Sequence, residues 1–213
     1  MPELIVINPK KPEFKKIKRA ISILESGGLV AYPTDTLYGL GANALNPYAI
    51  ARVFKAKRRP TNQALPLIVS GLEMSEKFAF ITENAKRLAK TFWPGALTII
   101  LNKKPIVPFQ ITGGNPGIAL RVPNHPVPLA IMRFSSLPLV GTSANAHGDV
   151  NPISPIDVLT QIGEYVDLIL DGGQTEIGLA STIIDMTKTP PSIVRKGPIT
   201  KEMIEEKIGH IRD

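Results

Sequence analysis

The sequence predicts an α/β protein with a largely buried, mixed sheet. Strand-like apolar runs alternate with amphipathic segments throughout the chain, a pattern typical of α/β folds with a largely buried sheet. Hydrophobic residues make up 43% and charged residues 20%, which is the ordinary globular range. Because one core remains workable up to roughly 250 residues, we expect a single domain over residues 1–213.

The first elements follow from local periodicity. Residues 4–7 predict a short strand. Apolar side chains spaced three or four apart then predict an amphipathic helix, namely Phe14, Ile17, Ile21 and Leu24. The glycine pair at 27 and 28 is expected to end that helix. The run LVAYP predicts the next strand, and PTDTLYGLG predicts a polar loop after it.

A second helix is predicted to carry a basic cluster. Asn46 followed by Pro47 is typical of a helix cap and first helical residue, and this helix should lead into KAKRRP. The cluster contains Lys55, Lys57, Arg58 and Arg59. Cations so close together repel one another, which favours an anion among them. A solvated helix end that complements the macrodipole explains them equally well.

The rest of the chain continues the alternation. LPLIV, LTIIL, IALRV and LPLVG predict four strands, with helices that start near Thr82 and cover residues 126–134. VDLIL, STIID and PSIVR predict three more strands. Ser154 and Thr200 are expected to cap two further helices.

Composition narrows the function classes. The formal net charge of +7 favours anionic partners such as nucleotides, RNA or an acidic membrane surface. The absence of cysteine excludes disulfides and thiolate nucleophiles. The three histidines form no metal-binding pattern, so we expect no protein-bound metal. Without a long apolar run, a cytoplasmic location with no membrane partner is expected.

Three polar features are candidates for ligand binding. The hydroxyls and carboxylate of PTDTLYGLG either bind a ligand beyond a strand end or form an Asx or ST turn. GTSAN offers hydroxyls and an amide to a phosphate, but it lacks the second glycine of a hydrolase elbow. Arg121 and Arg195 each lie at the end of a predicted strand. There they either bind a phosphate or carboxylate of a ligand or form surface ion pairs. Neither a P-loop nor a G-x-G-x-x-G motif is present.

Six of these segments together resemble the YrdC family, the threonylcarbamoyl-AMP synthases. They are PTDTLYGLG, KAKRRP, IALRVP, GTSAN, STIID and VRKG, in the family's order. The resemblance implies a twisted mixed sheet flanked by helices, with a large basic concave face. It also implies a reaction in which L-threonine, bicarbonate or CO2, and ATP give threonylcarbamoyl-AMP and diphosphate. It implies Mg2+ carried by ATP, a downstream transferase as partner, and use of the product for threonylcarbamoyladenosine at position 37 of tRNA.

The resemblance also implies roles for individual residues. Lys57 and Arg59 are implied as catalytic cations that face the triphosphate. The residues implied to contact L-threonine are Thr34, Arg121, Thr142 and Ser181. Besides the two cations, those implied to contact ATP are Thr61, Ser143, Asn145, Asn151 and Arg195. Because an anionic carbamate must approach a phosphate, cations at this place lower the repulsion and stabilise the leaving diphosphate.

Two features depart from the family's pattern. Many members have Lys-Pro-Leu after the KxRP motif and some have a nearby histidine, whereas this chain has Gln63 and Ala64 before LPL; one threonine-side contact therefore stays open. The chain also stops soon after VRKG, which resembles the short, stand-alone members. Two alternatives remain open: a basic module that binds double-stranded RNA or tRNA by shape, and a family paralogue with an altered substrate.

Overall fold

A computed structural model describes residues 1–212 of the chain. The strands within this range are β1 (Glu3–Val6), β2 (Val30–Tyr32), β3 (Gly39–Gly41), β4 (Leu67–Ile68), β5 (Leu97–Asn102), β6 (Gly117–Arg121), β7 (Leu139–Val140), β8 (Thr142–Ser143), β9 (Leu168–Asp171), β10 (Thr182–Asp185) and β11 (Ser192–Arg195). The α-helices are α1 (Phe14–Glu25), α2 (Pro47–Lys57), α3 (Leu72–Phe78), α4 (Glu83–Phe92), α5 (Phe109–Thr112), α6 (Pro126–Ser135), α7 (Pro155–Ile162) and α8 (Lys201–Ile208). A 3-10 helix covers Gly163–Tyr165.

The strands form two mixed sheets. A five-stranded sheet has the order β1-β9-β2-β3-β8, and a six-stranded sheet has the order β11-β10-β5-β6-β4-β7. Parallel pairs such as β1 with β9 and β10 with β5 occur beside antiparallel ones. The α/β class with mixed sheets is therefore confirmed, whereas the prediction of one sheet is wrong. Strand order depends on pairings between distant segments, which local patterns do not encode.

The first polar loop is shorter than predicted. Its last three residues form β3, which pairs with β2 so that Val30 lies opposite Gly41 and Tyr32 opposite Gly39. A Cβ atom at Gly41 would lie 2.4 Å from the Tyr32 ring, and one at Gly39 would lie 2.9 Å from it. Only glycine leaves room for the buried ring on this hairpin. The polar loop thus narrows to residues 33–38.

Helix α2 begins and ends as its sequence predicts. The Asn46 Oδ1 atom accepts hydrogen bonds from the backbone N–H groups of Tyr48 and Ala49, a standard N-cap. Arg58 after the last turn has a left-handed backbone with φ of 50°. This cap turns the chain, so that Lys57 is buried while Arg58 is exposed.

The other predicted caps are also present. Thr82, Ser154 and Thr200 accept backbone hydrogen bonds at the starts of α4, α7 and α8. The short helices α3 and α5 were not predicted. Neither has a side-chain cap, and they contain only 7 and 4 residues. None of the helices within residues 1–212 is long and apolar enough to cross a membrane.

Candidate functional site

A cavity of about 450 Å³ is lined by residues from both sheets. Ten of the eleven residues with predicted ligand roles lie in its wall: Thr34, Lys57, Arg59, Arg121, Thr142, Ser143, Asn145, Asn151, Ser181 and Arg195. The structure does not bring Thr61 together with them. This residue is exposed on the turn after Pro60 and is not part of the lining.

The lining is strongly biased towards positive charge. It contains four cationic side chains, those of Lys57, Arg59, Arg121 and Arg195, and no carboxylate. Low-dielectric walls around like charges focus a positive potential inside a cavity. The arrangement suits a ligand that carries several negative charges.

Lys57 is held by the GTSAN segment. Its Nζ atom donates hydrogen bonds to the Ser143 carbonyl at 2.7 Å, to the Asn145 carbonyl at 2.8 Å and to Asn145 Oδ1 at 3.2 Å. The side chain is only 2% exposed. Burial, aided by the charge of Arg59, lowers the pKa of Lys57 to about 7. In the protonated form of Lys57, all three ammonium protons are engaged by protein oxygens.

Asn145 is the centre of this network. Its Oδ1 atom accepts from Lys57 and, at 2.6 Å, from the Ser143 hydroxyl. Its Nδ2 atom donates to the carbonyls of Asp149 and Val150. One amide thereby fixes the lysine and both ends of the loop that follows β8.

Arg59 keeps unused donors. One Nη2 proton is donated to the Ala64 carbonyl at 2.7 Å, whereas the buried Nε atom has no hydrogen-bond partner among the described residues. Burial lowers the pKa of this guanidinium. A buried donor without a partner costs free energy, and an incoming anion would supply an acceptor to this side chain.

Arg121 is oriented by three acceptors. Its Nη2 donates to Asp35 Oδ1 at 2.6 Å, its Nη1 to Thr36 Oγ1 at 2.7 Å and its Nε to the Gly95 carbonyl at 2.9 Å. The sequence analysis considered a surface ion pair for Arg121. The structure shows instead an ion pair with Asp35 in the interior. The sequence analysis considered the Asp35 carboxylate as a ligand group or a turn former, but it did not predict the pairing with Arg121, which lies far along the chain.

The hydroxyl of Thr34 makes the ST turn that the sequence left open. Its Oγ1 atom accepts from the backbone N–H groups of Thr36 and Leu37 and donates to the Leu37 carbonyl. The residue still lines the cavity. Its hydroxyl shapes the loop while its side chain remains on the cavity wall.

The opposite wall joins β5, β10 and β11. The hydroxyls of Thr98 and Ser181 lie 2.8 Å apart. Arg195 donates from Nη2 to Ser181 Oγ at 3.0 Å and from Nε to the Ser181 carbonyl at 2.9 Å. Thr98 was missed, although the alternation of β5 places it on the same face as Ile100.

Part of the cavity wall is apolar. Its apolar side chains include those of Ile68, Ile100, Ala119, Ile183 and Val194. Their sequence pattern predicted them only as strand residues. Mixed apolar and cationic walls suit a ligand with both a charged chain and a flat or aliphatic group.

No protein-bound metal site is visible in the described part of the chain. Within residues 1–212, no three histidine, aspartate or glutamate side chains cluster so that they could hold a metal ion. Because the lining lacks carboxylates, a divalent cation there would need oxygen ligands from the bound molecule.

Comparison with known proteins shows that the chain is similar to members of one protein family. The Sua5/YciO/YrdC family, described as "Telomere recombination", matches residues 22–197. A threonylcarbamoyl-AMP synthase of Pyrococcus abyssi is 43% identical over 210 residues, which are 98% of this chain and 62% of the relative. A threonylcarbamoyl-AMP synthase of Bacillus subtilis is 40% identical and covers 92% of this chain and 57% of the relative.

A solved structure agrees with these sequence matches. The crystal structure of Pyrococcus abyssi Sua5 complexed with L-threonine has a TM-score of 0.94 and 42% identity to this chain. The match covers 98% of this chain and 62% of that one. The chain thus spans about three fifths of the length of these relatives.

Proposed function

Because the chain belongs to the Sua5/YciO/YrdC family, we propose that it is a threonylcarbamoyl-AMP synthase. The reaction would join L-threonine, CO2 or bicarbonate, and ATP, with release of diphosphate. The observation that carries this proposal is the cavity lined by four cations and no carboxylate. We also propose that residues 1–213 act as one domain, that this cavity is the basic concave face, and that the product is used by a transferase that modifies tRNA.

The nucleotide end of the proposed site is the side near Arg59 and the GTSAN segment. Arg59 has free N–H groups for a phosphate. The charge of Lys57 would act on the triphosphate through space, because its protons are engaged by carbonyls. Lys57 is thus a positioning residue in this proposal, and Arg59 is the direct ligand. Ser143, Asn145, Asn151 and Arg195 would contact the rest of the nucleotide.

The threonine end is the region around Arg121. This guanidinium has one unused proton on each Nη atom after its bonds to Asp35 and Thr36, so it can still pair with a carboxylate. Thr34, Thr142 and Ser181 would surround the amino acid. The 2.6 Å bond to Asp35 fixes the guanidinium before the substrate arrives.

The chemistry needs positioning rather than a covalent nucleophile. The threonine amine adds to CO2 and loses a proton, giving a carbamate. A carbamate oxygen then forms a bond to the α-phosphorus as the bond from that phosphorus to the diphosphate oxygen breaks. Both partners are anionic, so the cations of the cavity lower their repulsion and stabilise the leaving diphosphate. Mg2+ would enter as the MgATP substrate, held by phosphate oxygens.

The proposal is tested by diphosphate release. The purified chain with MgATP, L-threonine and bicarbonate should release diphosphate only when all three are present. Arg59→Ala should lower kcat/KM for ATP by roughly ten- to a hundredfold, because a charged hydrogen bond is removed. If the complete mixture released no more diphosphate than MgATP alone, the proposed function would be overturned.

A neighbouring arginine provides the matched control. Arg58 is exposed and lies outside the cavity. Arg58→Asn removes the same charge and keeps a side chain that tolerates the left-handed backbone. It should leave the kinetics for ATP unchanged. An equal loss in both variants would show that net charge, rather than the placement of Arg59, controls the rate.

A further inference from the structure

Most of the protein's positive charge lies outside the cavity. Residues 10–19 hold six cations and one glutamate, a net charge of +5 out of the formal +7 of the chain. None of these ten residues lines the cavity. The proposed synthase reaction therefore does not account for the main charge excess.

The cations of α1 share its outward face. The inward face is buried through Ile17, Ala20 and Leu24, whereas Lys15 and Lys18 are exposed. Residues three apart on a helix are neighbours, so these two ammonium groups extend from one strip of surface. The outward face of the helix therefore offers mainly charge to the solvent, together with the exposed ring of Phe14 at its start.

Four lysines in this region have no ion-pair partner within residues 1–212, namely Lys10, Lys11, Lys15 and Lys18. Lys16 and Arg19, in contrast, are paired with Glu13 and Glu3. The backbone N–H groups of Lys10 and Lys11 both bond to Asn8 Oδ1. That turn fixes the backbone of the first two lysines just before the helix.

Two exposed aromatic rings lie at the contact between α1 and α6. Phe14 begins α1 and Phe134 lies near the end of α6, a helix that packs on α1. Their ring centres are 5.0 Å apart at an interplanar angle of 72°. The residues are 57% and 55% exposed, so both rings present area to solvent beside the lysines.

We propose that this α1–α6 basic face, made of Lys10, Lys11, Lys15, Lys18, Phe14 and Phe134, binds a single-stranded segment of RNA such as a hairpin loop. Phosphates pair with lysines, and unstacked bases stack on aromatic rings. The choice of RNA over DNA rests on the proposed function, whose product is used on RNA. An anionic membrane fits less well, because the apolar side of α1 is buried in the core and cannot enter a bilayer.

The test measures binding of the full chain to an RNA hairpin with an unpaired loop, by fluorescence anisotropy over a range of salt concentrations. Lys10→Gln, Lys11→Gln, Lys15→Gln and Lys18→Gln together should weaken binding at least about tenfold at low salt. The slope of log affinity against log salt should fall by roughly 0.7 for each phosphate that these lysines no longer neutralise. Phe14→Ala with Phe134→Ala should cost on the order of tenfold for the hairpin and little for a perfect duplex.

Charge-matched controls decide the outcome. Lys77→Gln, Lys86→Gln, Lys90→Gln and Lys188→Gln together remove the same charge elsewhere, and Phe109→Ala removes another exposed ring. Both controls should bind the hairpin as the unmodified chain does. Equal losses in the controls, or equal affinity for hairpin and duplex, would overturn the proposal. So would binding to phosphatidylserine vesicles without binding to RNA.

The outcome is separable from that of the synthase proposal. The face variants should keep the melting temperature and the threonine-dependent diphosphate release of the unmodified chain, because none of their residues lines the cavity. RNA binding without diphosphate release would contradict the synthase alone. Diphosphate release without RNA binding would contradict this proposal alone.

Discussion

Lys57 illustrates how the charge of a buried, fully hydrogen-bonded side chain can depend on a ligand. Its Nζ atom meets three oxygens of Ser143 and Asn145, yet burial and the charge of Arg59 bring its pKa down to about 7. An anion bound nearby favours the charged form and raises the pKa again. Ligand binding at this residue is therefore coupled to protonation.

We expect proton uptake when MgATP binds. At about pH 8 the free protein holds Lys57 largely neutral, so binding should take up a sizeable fraction of one proton. Calorimetric titrations in two buffers with different ionisation enthalpies measure this number. Uptake should vanish in Lys57→Met, and it should fade below about pH 6, where Lys57 is already charged. Uptake near zero at about pH 8 would contradict the lowered pKa.

The same pKa shift sets the direction of a stability change. The pKa of Lys57 is lower in the folded chain than its ordinary value of 10.5. Between these two values the unfolded chain binds more protons, so the contribution of Lys57 to the free energy of unfolding rises with pH across that window. Well below about pH 7, Lys57 is charged in the folded chain, and the cost of burying this charge then lowers the free energy of unfolding by its full amount.

Individual contacts of the site were harder to predict than its members. Asp35 and Arg121 are 86 positions apart, and no local pattern links them. Thr34 and Arg121 were candidates because each lies at or just after the end of a predicted strand, and the family resemblance implied that they contact L-threonine. Neither argument says what else each side chain touches. The engagement of Lys57 by backbone carbonyls has no sequence signal, since any residue supplies a carbonyl.

At the scale of an element, β11 is positioned by the close approach of the turn that follows it. A Cβ atom at Gly197 would lie 2.4 Å from the Thr182 nitrogen and 2.5 Å from the Ala180 carbonyl oxygen. Both obstacles are backbone atoms, which cannot rotate away. This approach brings Arg195 within reach of Ser181.

Gly197→Ala should therefore damage both stability and the site. We expect a loss of about 1 to 3 kcal/mol in the free energy of unfolding, measured by urea denaturation, together with a higher KM for the substrates. Gly71→Ala is the control, because a Cβ atom there meets nothing within 4 Å. A Gly197→Ala chain as stable as the Gly71→Ala chain would contradict the close approach.

Helix ends were predictable and sheet order was not. Asn46, Ser154 and Thr200 cap their helices as expected, and α4 starts directly after its cap Thr82, near where its sequence predicts, because a cap is decided within four residues. Strand β1, in contrast, pairs with β9 from the far end of the chain. The division into two sheets arises from such distant pairings. The length of the polar loop was overestimated because β3, at its end, is defined by its pairing with β2.

For the whole molecule, the cavity connects two sheets that do not share a strand. A ligand that contacts both walls binds only when both sheets are folded and in place. Binding to the native state alone stabilises it by mass action. Ligand binding in the cavity should therefore stabilise the fold as a whole.

Saturating MgATP with L-threonine should raise the melting temperature by about 5 to 10 °C, given a ligand concentration near a hundred times Kd. Differential scanning fluorimetry measures the shift, with the same Mg2+ concentration alone as the reference. Arg59→Ala should lose most of it, whereas Arg58→Asn should retain it. The same shift in the Arg59→Ala chain would argue against phosphate binding at this residue.

The attachment between α2 and the GTSAN segment has a consequence for sequence variation. Lys57 donates to two main-chain carbonyls of that segment, and the Lys57 carbonyl accepts from the His147 N–H at 2.8 Å. Main-chain atoms are the same for every amino acid, so an exposed side chain such as that of His147 can vary without breaking these bonds. An insertion or deletion between residues 141 and 149 would instead shift their register. Chains that keep this attachment can drift in sequence here, but their loop should keep its length.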